Sequence, residues 1–128
     1  NISQEIDELL TQGKTVVIDR YWLSTQVYHN WRCKGQHFKL LEIEDSIQKP
    51  DFTIFLKLPL ETRKSRIQKR NYSTAEDNLT LIKENDFEIN RLYGSFQGKS
   101  IAGKWIGVDA SLDPQSIVDN IVNRLKTK

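Results

Sequence analysis

The sequence contains no methionine and one cysteine, Cys33. Without methionine, Asn1 is not expected to be a native start, and a processed, truncated or partial reading frame is expected. A lone cysteine excludes an internal disulfide framework and suits a reducing compartment, with the cytoplasm expected and the mitochondrion left open. Long apolar runs are also lacking. The longest, such as Phe52–Leu56, reach four or five residues, whereas a bilayer-crossing helix needs about 20. No charged stretch followed by an apolar one opens the sequence, so no secretory leader is expected. The sequons Asn1-Ile2-Ser3, Asn71-Tyr72-Ser73 and Asn78-Leu79-Thr80 are then chance matches. Internal repeats and low-complexity segments are absent. So is any marked charge excess: 19 Lys and Arg face 17 Asp and Glu, a net charge of +2. That balance gives no reason to expect bulk nucleic-acid binding.

What is present is an alternation. With 128 residues the chain is one domain or part of one. Ile2, Ile6, Leu9 and Leu10 form a helical stripe, and Gly13 is placed to end it in a left-handed C′ conformation. Thr15-Val16-Val17-Ile18 is a β-branched run that predicts a buried strand, stopping at Asp19-Arg20-Tyr21. Phe52–Leu56 predicts a second strand between Asp51 and Pro59, and Trp105–Val108 a third that ends at Asp109. Helices are predicted over residues 60–70, after Pro59, over 79–96, and over 114–126 with Asp113 as cap and Pro114 at the first position. Gly94, Gly98 and Gly103 mark a loop within the domain. Strands separated by helices imply an α/β fold, a parallel sheet with flanking helices.

Open parallel sheets bind ligands outside the carboxyl ends of their strands. The polar residues directly after the apolar runs are therefore the candidates: Asp19-Arg20-Tyr21, Asp109-Ala110-Ser111, and the basic segment after the middle run. Asp19-Arg20 sets a carboxylate beside a five-donor guanidinium, able to hold magnesium through water and to grip phosphate. The same pair also suits an ion pair or a cap at the sheet rim. Tyr21, Trp22, Ser24, Thr25 and Tyr28 make an aromatic, hydroxyl-rich turn of the kind that stacks a base and hydrogen-bonds a sugar. From Lys57 to Arg70 six basic residues stand against one acid, Glu61. That is either a field for an anion or a solvated helix face. His29, Cys33 and His37 are spaced as three ligands on one helix would be, but Gly35 interrupts them and no fourth ligand is near. Trp22, Trp31 and Trp105 are scattered and read as core.

These residues resemble the thymidylate kinase branch of the nucleoside monophosphate kinases. Asp19-Arg20-Tyr21 with Ser24, Thr25 and Tyr28 is similar to that family's DRY-x-x-S-x-x-x-Y segment, and Lys49–Leu56 to its kPDlt-fL strand. Arg66-Ile67-Gln68-Lys69-Arg70 resembles the R-x-x-x-R entry into its mobile lid. Arg91-Leu92-Tyr93 resembles its R..Y helix end, and Val108-Asp109-Ala110 its iDA turn. DRYW-x-ST-x-x-Y also resembles the mitochondrial UMP-CMP kinase branch, which leaves the base open.

The resemblance implies a P-loop kinase-like fold and phosphoryl transfer from ATP, with Mg2+, to a pyrimidine (deoxy)nucleoside monophosphate such as dTMP. It implies Asp19 at the phosphates as magnesium-side carboxylate or base, and Arg20 on the acceptor monophosphate. Tyr21, Ser24, Thr25 and Tyr28 would form the substrate pocket, Thr25 near the base and Tyr28 under the sugar. Arg66 and Arg70 would act from a lid over 63–78, meeting ATP, and Asp109 and Ala110 would border adenine in a turn over 109–111. His29 stands where many members carry glutamine, so that contact is not carried over. Small-molecule nucleotides are the expected partners, with neither nucleic acid nor membrane.

The family's phosphate loop, G-x-x-x-x-G-K-[ST], does not occur in the sequence. Gly13-Lys14-Thr15 matches only its last letters and precedes a strand-like run. Residues 1–128 are thus expected to be a single partial kinase-like domain lacking the first two strands, inactive alone. The expectation is that 15–18 and 52–56 lack a common neighbour, and that the chain folds poorly, pairs those strands directly, or completes itself with a missing amino-terminal half or a homodimer partner. The alternative class is a non-catalytic nucleotide-binding or interaction module derived from such a kinase.

Overall fold

The apolar stripe at the start forms α1, Ile2–Thr11, which buries Ile6. Gly13 ends it at φ 78°, where the Lys14 N–H reaches back to the Leu9 carbonyl at 3.1 Å and the Gly13 N–H to that of Leu10 at 2.9 Å. This is the left-handed stop expected of a glycine there. The computed structural model describes residues 2–33 and 44–126.

The next expectation is overturned. Residues 15–18 form no strand; they run as irregular chain, with Val17 89% exposed. A strand is made by its neighbour's hydrogen bonds rather than by β-branched side chains alone, and among the described residues none lies beside this run. Direct pairing of 15–18 with 52–56 is likewise not observed.

Two further elements carry the sheet. β1, Phe52–Lys57, and β2, Lys104–Asp109, pair in parallel, in register from Phe52↔Lys104 to Lys57↔Asp109. Gly103 makes their approach possible: at φ 64°, a Cβ there would strike the Pro50 and Asp51 carbonyl oxygens. Helices fill the connection: α2 (Trp22–Cys33) before β1, then α3 (Leu60–Lys69), α4 (Ala75–Thr80) and α5 (Lys83–Gly94), with α6 (Pro114–Lys126) after β2. The fold is thus mixed helix and sheet with a two-stranded parallel sheet.

The helix expected over 79–96 is instead α4 and α5, broken at Leu81-Ile82. Side chains take the carbonyls that a continuous helix would use. Arg63 donates to the Thr80 carbonyl, and Asn85 Nδ2 to that of Leu79 at 3.0 Å. Gly94, expected in a loop, lies at the end of α5. By contrast, Asp113 caps α6 as expected, accepting from the Ser116 N–H at 3.0 Å.

The core lies on one face of the sheet. Val27 of α2, Ile89 of α5, Phe96, Ile101 and Ala102 cluster there, with Trp22, Leu23, Trp31, Leu92 and Trp105 packed around them. Burying each large apolar side chain contributes about 1.5–3 kcal/mol. Side chains alternate along β2, so Ile106 and Val108 face the other way, and α6 is the helix packed against that strand.

Candidate active site

The irregular run after α1 meets α2 through a backbone that ordinary residues avoid. Arg20 has φ 63°, a left-handed conformation costing an L-residue roughly 1–2 kcal/mol. The turn brings its guanidinium over the Tyr28 ring, 5.6 Å from the centroid. Arg32, four residues beyond Tyr28 and so on the same helix face, places its own guanidinium 5.8 Å from that centroid. One phenol ring therefore carries two guanidinium groups. Trp31 meets the same ring edge-on at 6.0 Å.

The aromatic, hydroxyl-rich stretch expected as a turn is instead helical: Trp22, Ser24, Thr25 and Tyr28 lie in α2 and Tyr21 directly before it. Ser24 Oγ lies 2.7 Å from the Tyr93 hydroxyl, and the Tyr93 ring lies 5.4 Å from that of Phe55 in β1. Burial pushes the Tyr93 phenol above its ordinary range and nearby Tyr28 adds to this, while the Ser24 hydrogen bond and Arg20 oppose it. Tyr21 shares a hydrogen bond of 2.9 Å with Ser3 of α1. Its carbonyl accepts from the Thr25 hydroxyl at 3.4 Å. Asp19 and Thr25 are exposed.

A second candidate region lies at the strand ends. A cleft of about 510 Å³ opens there, lined by Lys57, Leu58, Pro59, Asn90, Gly107, Val108 and Asp109. The Ala110 N–H donates to the Lys57 carbonyl at 2.8 Å, fixing the turn. Asp109 accepts from the Ser111 hydroxyl at 2.6 Å and the Ser111 N–H at 2.9 Å, which hold its carboxyl below the usual range. Lys57, the first of the six basic residues of the 57–70 segment, lines this cleft.

The basic segment divides. Arg66 is exposed on α3, and its side chain makes no hydrogen bond or ion pair among the described residues. Arg70 is engaged: its Nη2 reaches Asp77 of α4 at 2.5 Å and its guanidinium stacks over Tyr72 at 4.5 Å. Neither bonds to the Arg20–Tyr28 cluster. The link between that cluster and this region is Arg32, whose Nη2 lies 3.2 Å from Glu76 of α4. Adjacent carboxylates on one short helix thus each hold an arginine, one from α2 and one from the end of α3. Arg63 binds Asp86 of α5 at 3.0 Å, joining α3 to α5.

Sequence reasoning gave Arg32, Arg63 and Glu76 no individual role and named Tyr93 only within Arg91-Leu92-Tyr93. Arg32 left a further local signal, its i, i+4 spacing from Tyr28. The contacts of Arg63, Glu76 and Tyr93 reach across the fold. His29 Nδ1 and Cys33 Sγ approach to 3.9 Å, while His37 lies outside the described residues. No group of three His, Cys, Asp or Glu suited to a metal ion occurs among the described residues. A single exposed carboxylate such as Asp19 fits magnesium carried on substrate phosphates rather than a metal held in a protein cage. No helix of the described residues is long and apolar enough to cross a membrane.

Comparison with known proteins bears on the family of the chain. The family model for thymidylate kinase matches residues 1–121. A thymidylate kinase of Brachyspira hyodysenteriae is 28% identical over 127 residues, 98% of this chain and 59% of that protein. One of Desulfosudis oleivorans is 32% identical over 74 residues, covering 55% of this chain and 34% of the relative. The chain thus spans less than two thirds of the length of these curated relatives. No solved structure matches it.

Proposed function

The chain belongs to the thymidylate kinase family, and from that premise we propose that it forms the monophosphate-binding and lid portion of an enzyme that transfers a phosphoryl group from ATP to a pyrimidine (deoxy)nucleoside monophosphate such as dTMP. The observation that carries this reading is Arg20, an arginine held at φ 63° with its guanidinium over Tyr28. Backbone strain at a polar, exposed residue persists where the side chain's direction matters. A planar fork beside an aromatic ring suits a phosphate joined to a nucleoside.

Phosphoryl transfer needs positioning and charge neutralisation more than a covalent nucleophile, and the residues divide that work. Arg20 grips the acceptor phosphate. Tyr28 carries the sugar, while Tyr21, Ser24 and Thr25 shape the pocket toward the base. Asp19 acts as the base toward the acceptor or as the carboxylate that would hold magnesium through water. Magnesium, when bound, supplies charge neutralisation on the transferring phosphates. Arg66 and Arg70 belong to a lid over 63–78 that closes on ATP and excludes water. Asp109 and Ala110, in the turn over 109–111, border the adenine. The glycine-rich phosphate loop of a P-loop fold lies outside residues 1–128 in this reading, which makes them a partial kinase-like domain, inactive alone.

The test is ADP formation by the purified full-length protein with dTMP, dUMP, UMP and CMP. Turnover with one of these is expected. Charged hydrogen bonds contribute about 1.5–3 kcal/mol, so Arg20→Ala should raise the KM for the monophosphate roughly 10- to 100-fold with the KM for ATP little changed. Wild-type kinetics in Arg20→Ala would remove the assignment. The absence of G-x-x-x-x-G-K-[ST] from these residues favours a second reading, a non-catalytic nucleotide-binding module. Monophosphate binding without ATP turnover by the full-length protein would select it.

A further inference from the structure

Arg32 stands out because two different partners hold it in place. Its guanidinium rests against Tyr28, the ring that Arg20 also covers, and its Nη2 meets Glu76 of α4 at 3.2 Å. Both side chains of that ion pair are about half exposed, 59% and 49%, so a ligand entering beside Tyr28 reaches the arginine directly. Exposed ion pairs of this kind stabilise by only about 0.2–1 kcal/mol. Glu76 meets the guanidinium through one nitrogen only, whereas a phosphate carries the larger charge and can take two parallel bonds from the fork. Glu76 is therefore a partner that a phosphate can displace.

We propose that Arg32 is a second phosphate-binding residue of the Arg20–Tyr28 site, and that Glu76 occupies it until a nucleoside monophosphate takes its place. The inference rests on the monophosphate site proposed above and adds to it one residue and one coupling. Binding a monophosphate frees Glu76. The carboxylate is carried on the same short helix as Asp77, which holds Arg70 at 2.5 Å. Occupation of the substrate site thereby loosens α4 from α2 at the moment when the lid has to move. The guanidinium stays near its working position throughout, because Tyr28 supports it in both states, so little side-chain entropy is lost on binding.

The experiment is calorimetric titration of the full-length protein with dTMP or whichever monophosphate it binds best, and with the matching nucleoside as a phosphate-free probe. Arg32→Ala should weaken monophosphate binding about 10-fold, while nucleoside binding changes less than 2-fold. Glu76→Gln removes the competitor and should tighten monophosphate binding about 2- to 5-fold. In an Arg32→Ala background the same Glu76 change should have no effect, which a double-mutant cycle reads directly. If Arg20→Ala abolishes binding while Arg32→Ala and Glu76→Gln leave it unchanged, the site stands and this inference falls. If Glu76→Gln weakens binding, Glu76 is a structural tie and not a competitor. A wild-type protein that binds no monophosphate overturns the site itself and this inference with it.

Discussion

Arg20 shows how a single residue can set local stability against function. A left-handed φ of 63° costs any side-chain-bearing residue roughly 1–2 kcal/mol, and glycine is spared that cost. Glycine loses about 0.5–1 kcal/mol more than other residues on ordering. The difference is small but favours glycine. Arg20→Gly should therefore leave the protein unchanged or up to about 1 kcal/mol more stable to urea. The same variant should lose monophosphate binding as fully as Arg20→Ala does. Equilibrium denaturation beside a titration reads both quantities. A variant that is clearly destabilised would mean that the guanidinium over Tyr28 holds the fold rather than serving a ligand. The residue was legible from sequence because Asp19-Arg20-Tyr21 and Tyr28 are close in the chain. Arg32–Glu76 and Ser24–Tyr93 were not, since their partners are separated by 44 and 69 positions.

At the scale of an element, α4 depends on its cap. Thr74 Oγ1 accepts from the Asp77 N–H at 3.0 Å, and Asp77 Oδ2 accepts from the Thr74 N–H at 2.9 Å, a reciprocal capping box. The Thr74 backbone bond is the main influence lowering the Asp77 carboxyl below its ordinary value, with Arg70 acting in the same direction. A carboxylate depressed in the folded state stabilises fully above its unfolded value, about 3.9. That contribution fades as pH falls through the lower folded value. Residues 75–80 should thus stay ordered through neutral and mildly acidic pH and fray below about 4, while Asp77→Asn should fray them at pH 7. Amide exchange at Asp77–Thr80 measures this, and equal protection in both proteins would dismiss the cap. A six-residue helix spans too few turns to show a periodic stripe, which is why sequence periodicity began the helix at 79. The signal was in Thr74-x-x-Asp77 instead. Asp113-Pro114 made α6 readable, because there cap, first turn and apolar stripe agree. At 15–18 the composition spoke for a strand, but composition does not supply a neighbour.

For the molecule as a whole, the decisive feature is the distribution of apolar surface. β1 and β2 form a two-stranded sheet whose core face is covered by α2 and α5. On the opposite face Ile106 and Val108 are buried, whereas Ile54 and Leu56 of the neighbouring strand remain 39% and 52% exposed. Val118 and Val122 of α6 are also exposed, and so is Val17 in the run before α2. A two-stranded sheet is marginal in water without cover on its apolar faces. An exposed strand carrying Ile and Leu is a template for association. Residues 1–128 expressed by themselves should therefore bind 8-anilinonaphthalene-1-sulfonate, unfold over a broad urea range, and elute in sedimentation or gel-filtration experiments as more than a monomer. Leu56→Lys, a charge on the exposed part of β1, should reduce that association with little loss of helix content by circular dichroism. A sharp two-state transition of a dye-silent monomer would show that the exposed face is stable as it stands. The expectation that these residues need further chain or a second copy to cover β1 would then fail. The placement of Tyr28 and Arg32 would be unaffected, because α2 carries them and packs with α5 on the covered face of the sheet, opposite Ile54 and Leu56.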